Sequence, residues 1–67
     1  MIYTKDVAGR LVLFDASSVE YATMEDGLLT LNFSRNSVLV AVEESDRILK
    51  KLIYYRGEDG AYAGDGE

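Results

Sequence analysis

"VLVAVEESDRILKKLIYYR", residues 38–56, holds the change of period that decides the fold. Its first five residues place Val38, Val40 and Val42 at every second position, so these β-branched side chains share one side of an extended strand. From Ser45 onward the apolar residues fall instead at 48, 49, 52, 53 and 55, the stripe of an amphipathic helix. Ser45 stands as an N-cap and Asp46 occupies the first turn. Lys50, Lys51 and Arg56 lie toward the C-terminal end, and Gly57 follows as a stop. The stretch predicts a strand over 38–42 and a helix over 45–56.

Steps of 100° around that helix separate two faces. Ile48, Leu49, Leu52 and Tyr55 gather on one side, with Ile53 at its edge, and this side covers a sheet. Arg47, Lys50, Lys51 and Tyr54 gather opposite and face solvent.

N-terminal to this stretch the period is that of strands, broken by turn signals at short intervals. Ile2 to Lys5 reads as a first strand and Val7-Ala8-Gly9-Arg10 as a turn. Leu11-Val12-Leu13-Phe14 is a short apolar strand, and Asp15 to Ser18 turns the chain again. Val19 to Glu25 alternates, with Val19, Tyr21 and Thr23 on one face and Glu20, Ala22 and Met24 on the other. Asp26-Gly27 favours the positive φ angles of a tight hairpin. Leu29, Leu31 and Phe33 then share the face of a further strand, before the polar turn Ser34-Arg35-Asn36-Ser37.

The fold class that follows is α+β: a small antiparallel sheet or partly closed barrel of about five strands, one C-terminal helix, then a disordered tail. Residues 1–56 form a single domain. Residues 57–67, "GEDGAYAGDGE", are rich in glycine and acid, offer little to pack, and read as disordered.

Of the chain's twelve acids, Glu58, Asp59, Asp65 and Glu67 stand in that tail, which holds no base. Residues 1–56 therefore carry eight acids against all seven bases, and most of the net charge of −5 belongs to the tail. The sequence contains neither cysteine nor histidine. Disulfides, thiolate chemistry and thiolate-held zinc are excluded, as are the commonest general base and the commonest metal ligand. The serines and threonines have no histidine to activate them, and adjacent acids such as Glu43-Glu44 point apart on a strand. The chain is read as non-catalytic, with no cofactor and no metal. A calcium loop and a phosphate loop are absent as motifs. "KKLIYYR", residues 50–56, mixes bases with aromatics, but seven bases in a net acidic chain do not make a nucleic-acid surface. Met1 leads into Ile2 to Lys5 without a basic leader or long apolar run, so the expectation is a cytoplasmic protein that neither inserts in nor crosses a membrane.

Protein binding is left. A single unstapled core in 67 residues is marginal, and the sheet face away from the helix keeps Ala22, Met24, Leu28, Leu39, Ala41 and one pair from Leu11/Leu13 or Val12/Phe14. The expected function is a small adaptor or inhibitor of a larger protein that also forms a homodimer. Arg47, Lys50, Lys51, Tyr54, Met24 and Leu39 are its expected contact residues. The alternative is an acidic mimic of nucleic acid that occupies a basic groove on a host enzyme, in the manner of phage-encoded anti-defence proteins. It requires Glu25, Asp26, Glu43, Glu44 and Asp46 to cluster.

Overall fold

The computed structural model describes residues 1–57; the expected disorder of the tail lies outside these residues, save for Gly57. Strands β1 (Ile2–Lys5) and β2 (Leu11–Phe14) form one antiparallel hairpin. A 3-10 turn (Ala16–Ser18) leads to β3 (Tyr21–Glu25), β4 (Leu28–Asn32) and β5 (Ser37–Leu39), an antiparallel meander, and helix α1 (Val42–Gly57) closes the order. The two sheets are open and meet at one corner. There Asp6 bridges Val40, the Val7 N–H donates to the Leu39 carbonyl at 3.0 Å, and the Ala41 N–H donates to the Lys5 carbonyl at 2.9 Å.

Both hairpin turns follow from local chemistry. Asp26 and Gly27 take φ of 53° and 79°, the left-handed pair that matches the strand twist across a two-residue loop. In the first turn Gly9 has φ of 85°, and the rest is held by Asp6. One Asp6 carboxylate oxygen accepts from the Ala8 and Arg10 amides, each at 2.9 Å, and the other accepts from Arg10 Nε at 2.9 Å. Asp6 is nearly buried, yet the Arg10 amide above all, with its guanidinium and the Ala8 amide, lowers its pKa against the opposing effect of burial.

The core gathers Ile2, Phe14, Val19, Leu29, Leu31, Val40, Ile48 and Leu52 between the two sheets and the helix, and the Phe14 and Phe33 rings meet edge to face at 5.9 Å. Ile2 and Thr4 of β1 and Val12 and Phe14 of β2 face inward, so Leu11 and Leu13 face out.

Three expectations are corrected. The last strand does not run to Val42: β5 ends at Leu39 and α1 begins at Val42, three residues before the expected start. Ser45 is therefore not the N-cap but a buried residue of the first turns. Its hydroxyl accepts from the Leu29 N–H at 3.1 Å and donates to the Ala41 carbonyl at 3.0 Å, with the Val40 carbonyl at 3.3 Å. The Val40 N–H makes the last bond of the β4–β5 side, to the Leu29 carbonyl at 2.9 Å, and the chain then turns into the helix. Ser45 supplies the acceptor that the departing strand withdraws from Leu29, while Glu43 and Glu44 meet the positive end of the helix.

Second, Ala22 and Met24 lie on the helix side of the meander, not on its outer face. The register pairs Ala22 with Leu31 and Met24 with Leu29, and cross-strand partners share a face. Third, Tyr55 is exposed, as are Ile53 and Tyr54, so the apolar stripe is buried at Ile48 and Leu52 but not in the turn after them.

Candidate protein-interaction surfaces

The six residues expected to touch a partner do not form one patch. Arg47 is tied down: its guanidinium pairs with Glu44, donates to the Tyr3 carbonyl at 3.3 Å and lies 5.8 Å over the Tyr3 ring. Instead of standing free on the outer helix face, it fastens the helix to β1. Lys50 pairs with Asp46 at 3.1 Å, one helical turn away, in a fully hydrated setting where such a pair contributes little. Lys51 is exposed, and Tyr54 packs its ring edge to face on Tyr55 at 5.5 Å. Met24 and Leu39 are both partly exposed but on opposite faces of the meander, because Met24 pairs with Leu29 whereas Leu39 pairs with Thr30. Only Leu39 joins the outer face.

That outer face carries an apolar run that sequence reasoning left unresolved. Tyr3 and Leu13 are cross-strand partners, as are Lys5 and Leu11, and across the corner the backbone of Val7 bonds that of Leu39. Exposure is 60% at Tyr3, 62% at Leu11 and Leu13, 58% at Val7 and 41% at Leu39. Five large apolar side chains along one side of so small a domain exceed the scattered exposure normal for a monomer, and Lys5 is the charge among them. The signal was present in the sequence as a choice between Leu11/Leu13 and Val12/Phe14. The core takes the pair with the phenylalanine, which fills the gap against Phe33.

A groove of about 330 Å³ runs beside β2, lined by Val12, Leu13, Phe14, Ser18, Phe33, Asn36 and Val38. Its apolar walls lie next to a strand edge without a neighbour on that side among the described residues. A smaller hollow of about 100 Å³ under Arg47 is bounded by Tyr3, Lys5, Leu11 and Glu44. Among the described residues no group of three or more carboxylates is placed to hold a metal ion, and no helix is long and apolar enough to cross a membrane. The acids divide. Glu44 and Asp46 are matched by Arg47 and Lys50, while the Leu29–Ser45 bond sets the Asp26-Gly27 turn at the same end of the molecule as Glu43.

No family model matches this chain, and comparisons with curated proteins and with solved structures find no match either.

Proposed function

We propose that this chain is a small, non-catalytic, cytoplasmic protein-interaction module, an adaptor or inhibitor of a larger protein, that also self-associates. The observation that carries the reading is the outward apolar run Tyr3, Leu11, Leu13, Val7 and Leu39 on a chain of 67 residues. Surfaces of this composition, with aromatic and leucine side chains around the single charge of Lys5 and with Arg47 at the margin, lose most when left in water and gain most from a partner. Lys50, Lys51 and Tyr54 on the helix then form a separate, secondary contact.

The second reading is a nucleic-acid mimic acting on a host enzyme. It is supported by the shared position of Glu25, Asp26 and Glu43 at one end of the fold, and weakened by the ion pairs that absorb Glu44 and Asp46.

Affinity capture from a lysate of the encoding organism, or of its host, separates the two. The full chain and its Leu39→Glu variant are run side by side at about 0.15 and 0.5 M salt, where the screening length shrinks to a few Å. The interaction module keeps its partner at high salt and loses it on Leu39→Glu. A partner that survives Leu39→Glu but is released by salt refutes the apolar surface in favour of the mimic.

A further inference from the structure

Strand β2 is an edge strand, and its free side is defined by the hairpin register. The Asp6 N–H donates to the Arg10 carbonyl at 2.9 Å, and pairing continues through Thr4–Val12 and Ile2–Phe14. In an antiparallel ladder successive residues turn their backbone groups to opposite sides, so the N–H and C=O of Val12 and Phe14 point to β1. Those of Leu11 and Leu13 point away from it, and among the described residues no partner strand meets them. Edge strands of soluble proteins are ordinarily blunted by a charge, a proline or a bulge. Leu11-Val12-Leu13-Phe14 has none of these, and the apolar groove lies along the same edge.

We propose that two copies of this chain join through the free edge of β2, antiparallel about a two-fold axis at Val12. Leu11 of each copy then exchanges backbone hydrogen bonds with Leu13 of the other, and the two hairpins become one four-stranded sheet. This rests on the interaction-module reading and names the partner of one part of its surface: a second copy.

Self-complementarity argues for that occupant. A two-fold at Val12 sets against each other the residues whose backbone groups are free, Leu11 against Leu13 in both directions, so the register satisfies every exposed donor and acceptor of the pair. On the inner face the valine of the second copy drops over the groove lined by Phe14, Phe33 and Val38. At the strand ends, Arg10 of one copy stands opposite Phe14 of the other and Asp15 opposite Gly9, so no like charges face each other across the pair. The edge of β3 behaves in the opposite way: a two-fold at Thr23 brings Glu20 of one copy opposite Asp26 of the next. Like charges facing each other oppose that pairing. Joining a strand of this length covers roughly 300–400 Å² a side, about half of a standard interface. The dimer therefore belongs to the weak, concentration-dependent class.

The test uses the full chain. Its lack of cysteine makes single-cysteine cross-linking clean, and the two-fold sets the Val12 side chains about 4.5–5.5 Å apart at Cβ, within reach of a disulfide after slight adjustment. Val12→Cys is compared under mild oxidation with Leu39→Cys, which lies on the outer face away from β2. Sedimentation velocity from about 10 µM to 1 mM follows the unmodified chain and Leu13→Lys, a substitution at a solvent-facing side chain that leaves the β1–β2 ladder intact. The proposal expects a concentration-dependent dimer, efficient cross-linking through Val12→Cys alone, and at least a tenfold weaker association for Leu13→Lys with an unchanged circular dichroism spectrum. A chain that stays monomeric to the highest concentration overturns it. So does a dimer that Leu13→Lys leaves intact and that cross-links through Leu39→Cys, which is face-to-face packing. Both results leave partner capture through Leu39 standing as a separate question.

Discussion

Replacing Ser45 by alanine removes one oxygen atom and tests how the sheet hands over to the helix. In the folded chain that oxygen is the acceptor for the Leu29 amide, and both residues are buried, with Leu29 wholly inaccessible to solvent. Leaving a buried amide unpaired costs about 1–3 kcal/mol. Alanine is the better helix former by about 0.5 kcal/mol, which offsets part of that loss. The net effect is about 0.5–2.5 kcal/mol, a large share of what a domain this small can hold, and the corresponding fall in melting temperature is about 2–20 °C. Thermal and urea unfolding followed by circular dichroism read the loss, with an unchanged urea slope showing that the folded state is the same. Amide exchange adds a local readout: the Leu29 amide, protected in the unmodified chain, loses protection beyond the global change. A variant that melts within about 2 °C of the parent refutes the reasoning and reduces Ser45 to a spectator of the helix's first turns.

Three further outcomes follow from the same geometry. Asp6→Asn keeps an acceptor for the turn amides but loses the charge, and because the folded carboxyl has a lowered pKa, its contribution is complete above the ordinary value of about 3.9 and fades as pH falls through the folded value. The stability gap between parent and variant should hold steady above about pH 5 and close in acid; a gap that widens on acidification contradicts the assignment. Gly27→Ala meets open space but must adopt φ near 79°, so urea titration should show a loss of about 1–2 kcal/mol with the fold retained, and no loss means the turn is not left-handed there. Ile48→Ala opens a void among Leu29, Leu31 and Leu52 and should cost about 2–5 kcal/mol by the same titration. A cost under 1 kcal/mol would show that the helix is not seated as described.

How much of this was legible in the sequence differs by element. The Asp26-Gly27 hairpin is plain, because two residues with positive φ leave few other options and the alternation on both sides agrees with it. The helix stripe is equally plain at Ile48 and Leu52. Its start is not, since Val42 to Glu44 suit a strand as well as a first helical turn and the local signal of Ser45 favours a cap. The contact with Leu29, sixteen residues away, outweighs that preference, and no local pattern carries it. Faces were misjudged where register decides them. Ala22 and Met24 alternate identically whichever way the strand lies, and only their pairing with Leu31 and Leu29 turns them inward.

The six expected contact residues can be picked out singly from the sequence, but their grouping cannot. Leu39 does lie outward, as its alternation predicts. Arg47, however, looked like an exposed base and proves to bind Tyr3 and Glu44, an arrangement that depends on the helix crossing β1 at that point. Leu11 and Leu13 were hidden inside a four-residue apolar run whose two faces the sequence does not distinguish.

The proposed working surface is the apolar outer side and edge of the hairpin rather than the acids. The most direct measurement is residue-resolved amide shift mapping of the full chain by NMR, from about 20 µM to 1 mM, at about 0.15 and 0.5 M salt. Concentration-dependent shifts are expected, centred on Leu11, Val12 and Leu13, spreading to Tyr3, and unchanged in extent at the higher salt. Shifts centred on Glu43, Glu44 and Asp46 that vanish in salt would contradict the proposed surface.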